Sequence, residues 1–424
     1  MWFLSYIGDF STPLRSVRND RDVSCRAKSF VSCRAKSRHL LLALLLLLSS
    51  CSKPQGQETA FVPVPDLNSP IEFSEQLVEP ETKGLDPVTD ALEGIKAQRF
   101  GVFSWWNPIG EVFDELYNPA NLYQQNNDVV EVDFTTTPRK WKCNPSAYWP
   151  FACNLSFFAY APYLEHTQPY LVGEETVQPE LRFPSADYTQ GMPRASYSPN
   201  PDITHQVDLC IAAPVFDREP SSTPIHFAFK HALTRIRLYI RAIGDDQGGY
   251  LAYRIDDVII NGIVGTNTFT YQDDADEPFV WDEVTASTPK DGNYHLTAAA
   301  GHLTQEWVMR NNSAYDPAVL HDLTTYTAAN VSNAPNGSLY FLPQDLFTPI
   351  LEIGVGQYVK GTSTLLSILP PIRKPLPTAQ SWHAGETIAY LITVDVANYV
   401  ILDITPVLTP WADAENTHPT QRIY

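Results

Sequence analysis

The chain has 424 residues, 44% of them hydrophobic and 12% aromatic, with a net charge of −19 at neutral pH. That composition belongs to a folded globular protein, and so negative a charge excludes nucleic acid and anionic lipid as direct partners, because both repel it. Residues 1–50 hold eight of the 29 basic and three of the 48 acidic side chains, so the remainder, 21 against 45, is near −24.

The N-terminal stretch repeats itself, with Val23–Ser29 (VSCRAKS) recurring verbatim at Val31–Ser37. An export signal rarely needs so long a preface, and translation is expected to start downstream of Met1; a precursor whose N-terminus is Met1 contradicts this. Nine apolar residues follow, Leu40–Leu48, behind the positive flank of Arg34, Lys36 and Arg38. The run is far shorter than the about 20 residues of a membrane span, so it reads as a signal peptide that is removed. Leu48-Ser49-Ser50-Cys51 has the form of a lipoprotein cleavage site, in which Cys51 becomes the new N-terminus and carries acyl chains; the plainer alternative is a secretory signal beside an incidental cysteine. Residues 51–70 are polar with interspersed proline and read as a flexible tether.

The mature chain of about 370 residues exceeds what one core usually organises, which predicts two domains. After Cys51 only Cys143, Cys153 and Cys210 remain, too few for a disulfide-built scaffold. Cys143 and Cys153 can pair across a hairpin if their Cα atoms lie about 4.4–6.8 Å apart, a condition that spacing alone leaves open. Cys210 is expected to be buried and inert.

Helical periodicity is scarce, and Asp90–Arg99 (DALEGIKAQR) is the best short helix candidate. Elsewhere, strand-length segments are cut by 35 prolines and by turns such as Asp291-Gly292 and Asn336-Gly337, the pattern of an all-β protein built from sandwiches. In Ile225–Ala242, Ile225, Phe227, Phe229, His231 and Leu233 share one parity and Ile236, Leu238 and Ile240 the other. The switch requires a bulge, a bend or a crossing between sheets. His226 and His231 fall on opposite faces and cannot share a metal, so His231 reads as a satisfied core histidine. Thr387–Val396 and Val400–Ile404 form a second alternating pair, with a turn at Asn398-Tyr399 and the brackets Trp382, Gly385 and Trp411, which read as core lids.

Several segments, in order, carry a resemblance: FGVFS (100–104), YWP (148–150), LSFFAYAPY (155–163), DLCIAA (208–213), FAFKHALTRI (227–236), LPQ (342–344) and WHAG (382–385). Together behind the lipoprotein signal they resemble the fimbrillin-like lipoproteins of Bacteroides-type bacteria. The resemblance implies two tandem transthyretin-like β-sandwich domains, over residues 71–222 and 223–424. It also implies a subunit of a surface fimbria, lipid-anchored in the outer membrane as a precursor, trimmed by a trypsin-like protease and joined head-to-tail to other fimbrial subunits by strand exchange. Ile71 and Phe73, on one face of a short first strand, fit the strand that is displaced. The family cuts after a basic residue shortly downstream, commonly arginine; here Thr82-Lys83-Gly84 stands in that place, with a solvated loop lysine as the bland alternative for Lys83. Arg99 is the other candidate, although a cut there leaves almost no spacer before a core strand. The tail after Trp411 is too polar to fill a groove, so donation falls to Val400–Leu408, unless the subunit sits at the tip and donates nothing.

No nucleophile elbow, zinc-protease helix, phosphate loop or Cys/His cluster at metal spacing is present, so no enzyme activity, cofactor or metal is expected. The rival reading is a surface lipoprotein binding host protein or glycan, with Trp105, Trp106, Trp141, Trp149, Trp281 and Trp307 as stacking platforms. Against it, large aromatics most often serve as core. Adjacent Trp105 and Trp106 point to opposite faces of a strand, which predicts that one of them is exposed.

Overall fold

Aromatic and β-branched runs punctuated by turn residues fold as strands throughout. The computed structural model describes residues 64–78, 89–90, 99–113, 122–133, 135, 140–183, 192–201, 205–243, 251–297, 306–307, 321–322, 339–359, 362, 364–395 and 398–409. Among them there is no α-helix. The helix expected over Asp90–Arg99 is not found at its described ends, where Thr89–Asp90 and Arg99–Pro108 are strands; pairing with distant partners overrides local propensity there. The tether expected to run to residue 70 ends earlier, because Pro65–Pro70 pairs with Tyr148–Pro150.

Seven strands of the N-terminal half close on themselves: β1 (Glu72–Val78), β2 (Arg99–Pro108), β3 (Leu122–Asp133), β4 (Lys140–Asn144), β5 (Cys153–Ala161), β6 (Cys210–Ala212) and β7 (Ile225–His231). The spatial order is β6-β7-β1-β4-β3-β2-β5, and β6 pairs with both β7 and β5, completing the ring. Inside lie Ile71, Phe73, Phe100, Val102, Leu155, Phe157, Phe227 and Phe229, all buried. Gly101 permits close approach of β2 to β5, since a Cβ there would stand 2.3 Å from the Tyr160 ring. The continuous apolar runs of β2 and β5 are explained by burial on both faces. Even-numbered β2 residues enter the ring core, while Phe103 and Trp105 enter a second core with Phe158 and Tyr160 of β5.

The parity switch after β7 is a crossing between sheets. Ile225, Phe227, Phe229 and His231 are buried in alternation, and after Ala232-Leu233 the chain enters β8 (Thr234–Ile243) in a separate five-stranded sheet. There β8 pairs in parallel with β11 (Thr387–Asp395) over nine residues, and β11 turns at Asn398-Tyr399 into β12 (Val400–Thr409). The opposing sheet is built on β9 (Leu251–Ile263) and β10 (Ile350–Val359). One core, with Ile236, Leu238 and Ile240 facing Val258, Ile260, Leu351 and Ile353, fills the space between them. Trp382 lids it, stacked on Phe341 with centroids 5.3 Å apart and donating to the Tyr390 hydroxyl at 2.9 Å.

Between these two packings runs a four-stranded sheet of Leu181–Arg182, Arg194–Tyr197, Asn267–Tyr271 and Phe279–Trp281, which draws strands from both sides of residue 222. The core beneath it joins Phe103 and Phe158 to Phe269, Tyr271 and Leu342. Tyr271 Oη donates to the Ala159 carbonyl at 3.1 Å.

Candidate functional site

The first strand is an insert. β1 runs parallel to β7, with Phe73 opposite Ile225 and Leu77 opposite Phe229. On its other edge it meets β4 at Glu72 and Phe73, and Thr89–Asp90 folds back onto Leu77 and Val78. Ile71 and Phe73 are each 3% exposed. The Phe73 ring stacks on Phe227 at 5.7 Å and meets Phe157 and Phe100 edge-on at 5.9 and 6.1 Å. Two such side chains contribute about 1.5–3 kcal/mol each by burial. Glu72 and Ser74 face out, where Lys140 pairs with Glu72 at 3.1 Å and Ser74 bonds His226 at 3.1 Å; Glu75, on the parity of Phe73, accepts from Trp141 Nε1 at 3.3 Å. Without β1, β7 and β4 would present unpaired backbone edges beside exposed rings of Phe227, Phe100 and Trp141, a costly open groove. Lys83 and Cys51 lie outside the described residues. Lys83 falls in the connection between Val78 and Thr89, so a cut there severs β1 from the chain that follows it.

Arg99 stands differently. It opens β2 opposite Glu131, and its carbonyl accepts from Tyr163 N at 3.0 Å, so the peptide there is held on both sides.

Cys143 and Cys153 are buried thiols that are not disulfide-bonded. The disulfide expected between them is not formed: β4 and β5 are separated in the sheet by β3 and β2, and three strand spacings of about 4.8 Å exceed the reach of a disulfide. Burial pushes the Cys153 thiol up.

Among the described residues one group of metal-ligand type converges, Asp208, Cys210 and His231, all buried with ligand atoms within 4.8 Å. Cys210 and His231 are direct partners across β6 and β7. His231 Nδ1 lies 2.9 Å from an Asp208 carboxylate oxygen and 3.5 Å from Cys210 Sγ. The nitrogen a metal would use is therefore committed to a charge-assisted hydrogen bond. Burial pulls the imidazole pKa down, but the Asp208 carboxylate and then Cys210 outweigh it and hold His231 well above its ordinary value. This is a buried core histidine, as its strand position predicted, satisfied at Nδ1 by Asp208 but not at Nε2, and Cys210 is buried as expected.

The described tryptophan side chains do not form a surface platform. Trp105, Trp141 and Trp149 are buried, Trp106 is half-buried against the ring core, and half-buried Trp281 donates its indole N–H to the Ala232 carbonyl at 2.9 Å. The expected exposure of one of Trp105 and Trp106 fails because β2 is covered on both faces. The Trp307 side chain and Trp411 lie outside the described residues.

A profile of fimbrillin-like proteins matches residues 96–411, well over half of the chain. The chain belongs to the fimbrillin-like family. Its fold is similar to that of a fimbrial protein from Bacteroides vulgatus, at 15% identity and a TM-score of 0.52, covering 80% of this fimbrillin-like chain and 99% of the other. A candidate cell adhesion protein from Bacteroides ovatus aligns at 14% identity, TM-score 0.42, over 83% and 99% of the two chains. The fimbrial anchor protein Mfa2 from Porphyromonas gingivalis aligns at 9% identity, TM-score 0.31, over 80% and 99%. No curated protein matches. Membership of a fimbrial family gives this fimbrillin-like chain a cell-surface address and other fimbrial subunits as its partners.

Proposed function

We propose that the chain is a fimbrial subunit assembled by protease-triggered strand exchange. It is exported as a lipoprotein acylated at Cys51, held in the outer membrane as a precursor, and trimmed after Lys83 by a trypsin-like protease. The ring, which β7 completes from beyond residue 222, and the sandwich that begins with β8 then act as tandem transthyretin-like domains of a head-to-tail polymer. The observation that carries this reading is the position of β1, a parallel insert between β7 and β4 whose apolar face seals the ring core. Severed at Lys83, β1 is held by pairing alone, and a strand from a neighbour can replace it. The donor is β12, the edge strand of its sheet, with Val400, Leu402 and Leu408 exposed. A chain that never donates would instead end the fimbria at its tip.

Limiting trypsin on the purified protein, followed by N-terminal sequencing and denaturing electrophoresis, tests the proposal. The expected result is a product beginning at Gly84 that forms SDS-resistant ladders. A product beginning at Ala97 or Phe100 rejects Lys83 as the site, and a trimmed but strictly monomeric product rejects self-assembly into a shaft.

A further inference from the structure

We infer that a cavity lined by residues 192, 194 and 270–274 of the four-stranded sheet and its flanks, with Phe113, Phe216 and Asp217, is a binding site for a neutral saccharide, a role that does not depend on strand exchange. The cavity measures about 780 Å³, within the range of about 300–1,000 Å³ typical of small-ligand sites. Its floor is aromatic: Phe113 and Phe216, half-buried, have centroids 5.3 Å apart, and both pack on Phe158. Sugar C–H faces stack on such rings.

The rim is polar and pre-positioned. Asp217 adopts a left-handed backbone conformation, φ 49°, unusual for a residue with a side chain, and its surroundings fix it there. Its Oδ1 accepts from Asn107 Nδ2 at 2.9 Å and Phe113 N at 2.8 Å, while its own N–H donates to Ser156 Oγ at 3.0 Å. Arg194 donates from Nε to Thr270 Oγ1 at 3.1 Å and from Nη2 to Asp282 at 2.8 Å, bonds that leave its Nη1 donors uncommitted. Asp274 Oδ1 accepts from the backbone of Asp276 and Glu277 at 2.7 and 3.2 Å. Held side chains lose little entropy when a ligand arrives.

The charge selects the ligand. Among the described residues, Asp217, Asp273 and Asp274 line the cavity together with one cation, Arg194, which is paired with Asp282. Anionic sugars are therefore repelled. A purely cationic ligand has no use for the donors of Arg194 and Gln272, whereas vicinal hydroxyls need carboxylate acceptors and guanidinium or amide donors together.

Saturation-transfer NMR on the purified protein, with maltose, lactose and N,N′-diacetylchitobiose as neutral probes, tests this. The expected result is transfer to ring protons of at least one neutral disaccharide and none to 3′-sialyllactose. Phe216→Ala should weaken that binding about tenfold. Gln272→Ala and Asp273→Asn should weaken it with the thermal midpoint unchanged, which separates loss of the site from loss of the fold. Absence of transfer from all three neutral probes, transfer that survives both rim variants, or displacement of the sugar by trilysine overturns the assignment.

Discussion

Phe73 touches three rings of the ring core, and truncating it leaves a cavity that neighbouring strands cannot collapse into. Phe73→Ala should cost the untrimmed protein about 3–5 kcal/mol in denaturant unfolding, yet leave the stability of assembled polymers unchanged, since the proposed strand exchange replaces β1 there. His231 gives a second residue-scale expectation. Its folded pKa is raised, so the Asp208 pair contributes stability that is complete below the unfolded pKa near 6.5 and is lost as pH rises through the raised folded value. His231→Gln should leave Asp208 buried and unpaired, cost about 3–5 kcal/mol, and flatten the fall of thermal midpoint with pH above neutrality. His231 as core was legible from alternation alone. Asp208 was not, because its partner lies 23 residues away across a ladder. The tryptophans were misleading for a similar reason, since sequence marks a strand's two faces but not that both are covered.

At the scale of elements, the account turns on which connection a protease can enter. Cleavage needs an extended, unpaired segment, and Arg99 is paired on both sides in β2. Lys83→Gln should therefore abolish the product beginning at Gly84 without creating one at Phe100, as read by N-terminal sequencing of limiting digests. The strands around this switch were largely visible in the sequence: β7, β11 and β12 alternate cleanly, and the turn at Asn398-Tyr399 fell where expected. What followed β7 was ambiguous, because a bulge, a bend and a crossing produce the same parity switch. Only the parallel pairing of β8 with β11, 152 residues downstream, resolves it. Of the Asp90–Arg99 helix only the two end residues are described, and both belong to strands that pair with partners outside the segment.

Among the described residues three cores share one chain, and the middle one ties the ring to the sandwich. Phe158 sits in that seam, touching Trp105, Phe113, Phe216 and Tyr271. Phe158→Ala should cost about 3–5 kcal/mol and split a single thermal transition into two in calorimetry, as the halves lose their shared packing. Sequence length predicted two organised halves but could not reveal the seam, which is assembled from segments between residues 103 and 342. The central claim remains that β1 is a temporary occupant of its groove. Mass spectrometry of the trypsin-trimmed protein before and after assembly tests it most directly. The account predicts that the fragment ending at Lys83 stays bound to the trimmed monomer and is absent from every polymer; polymers that retain it would contradict strand exchange.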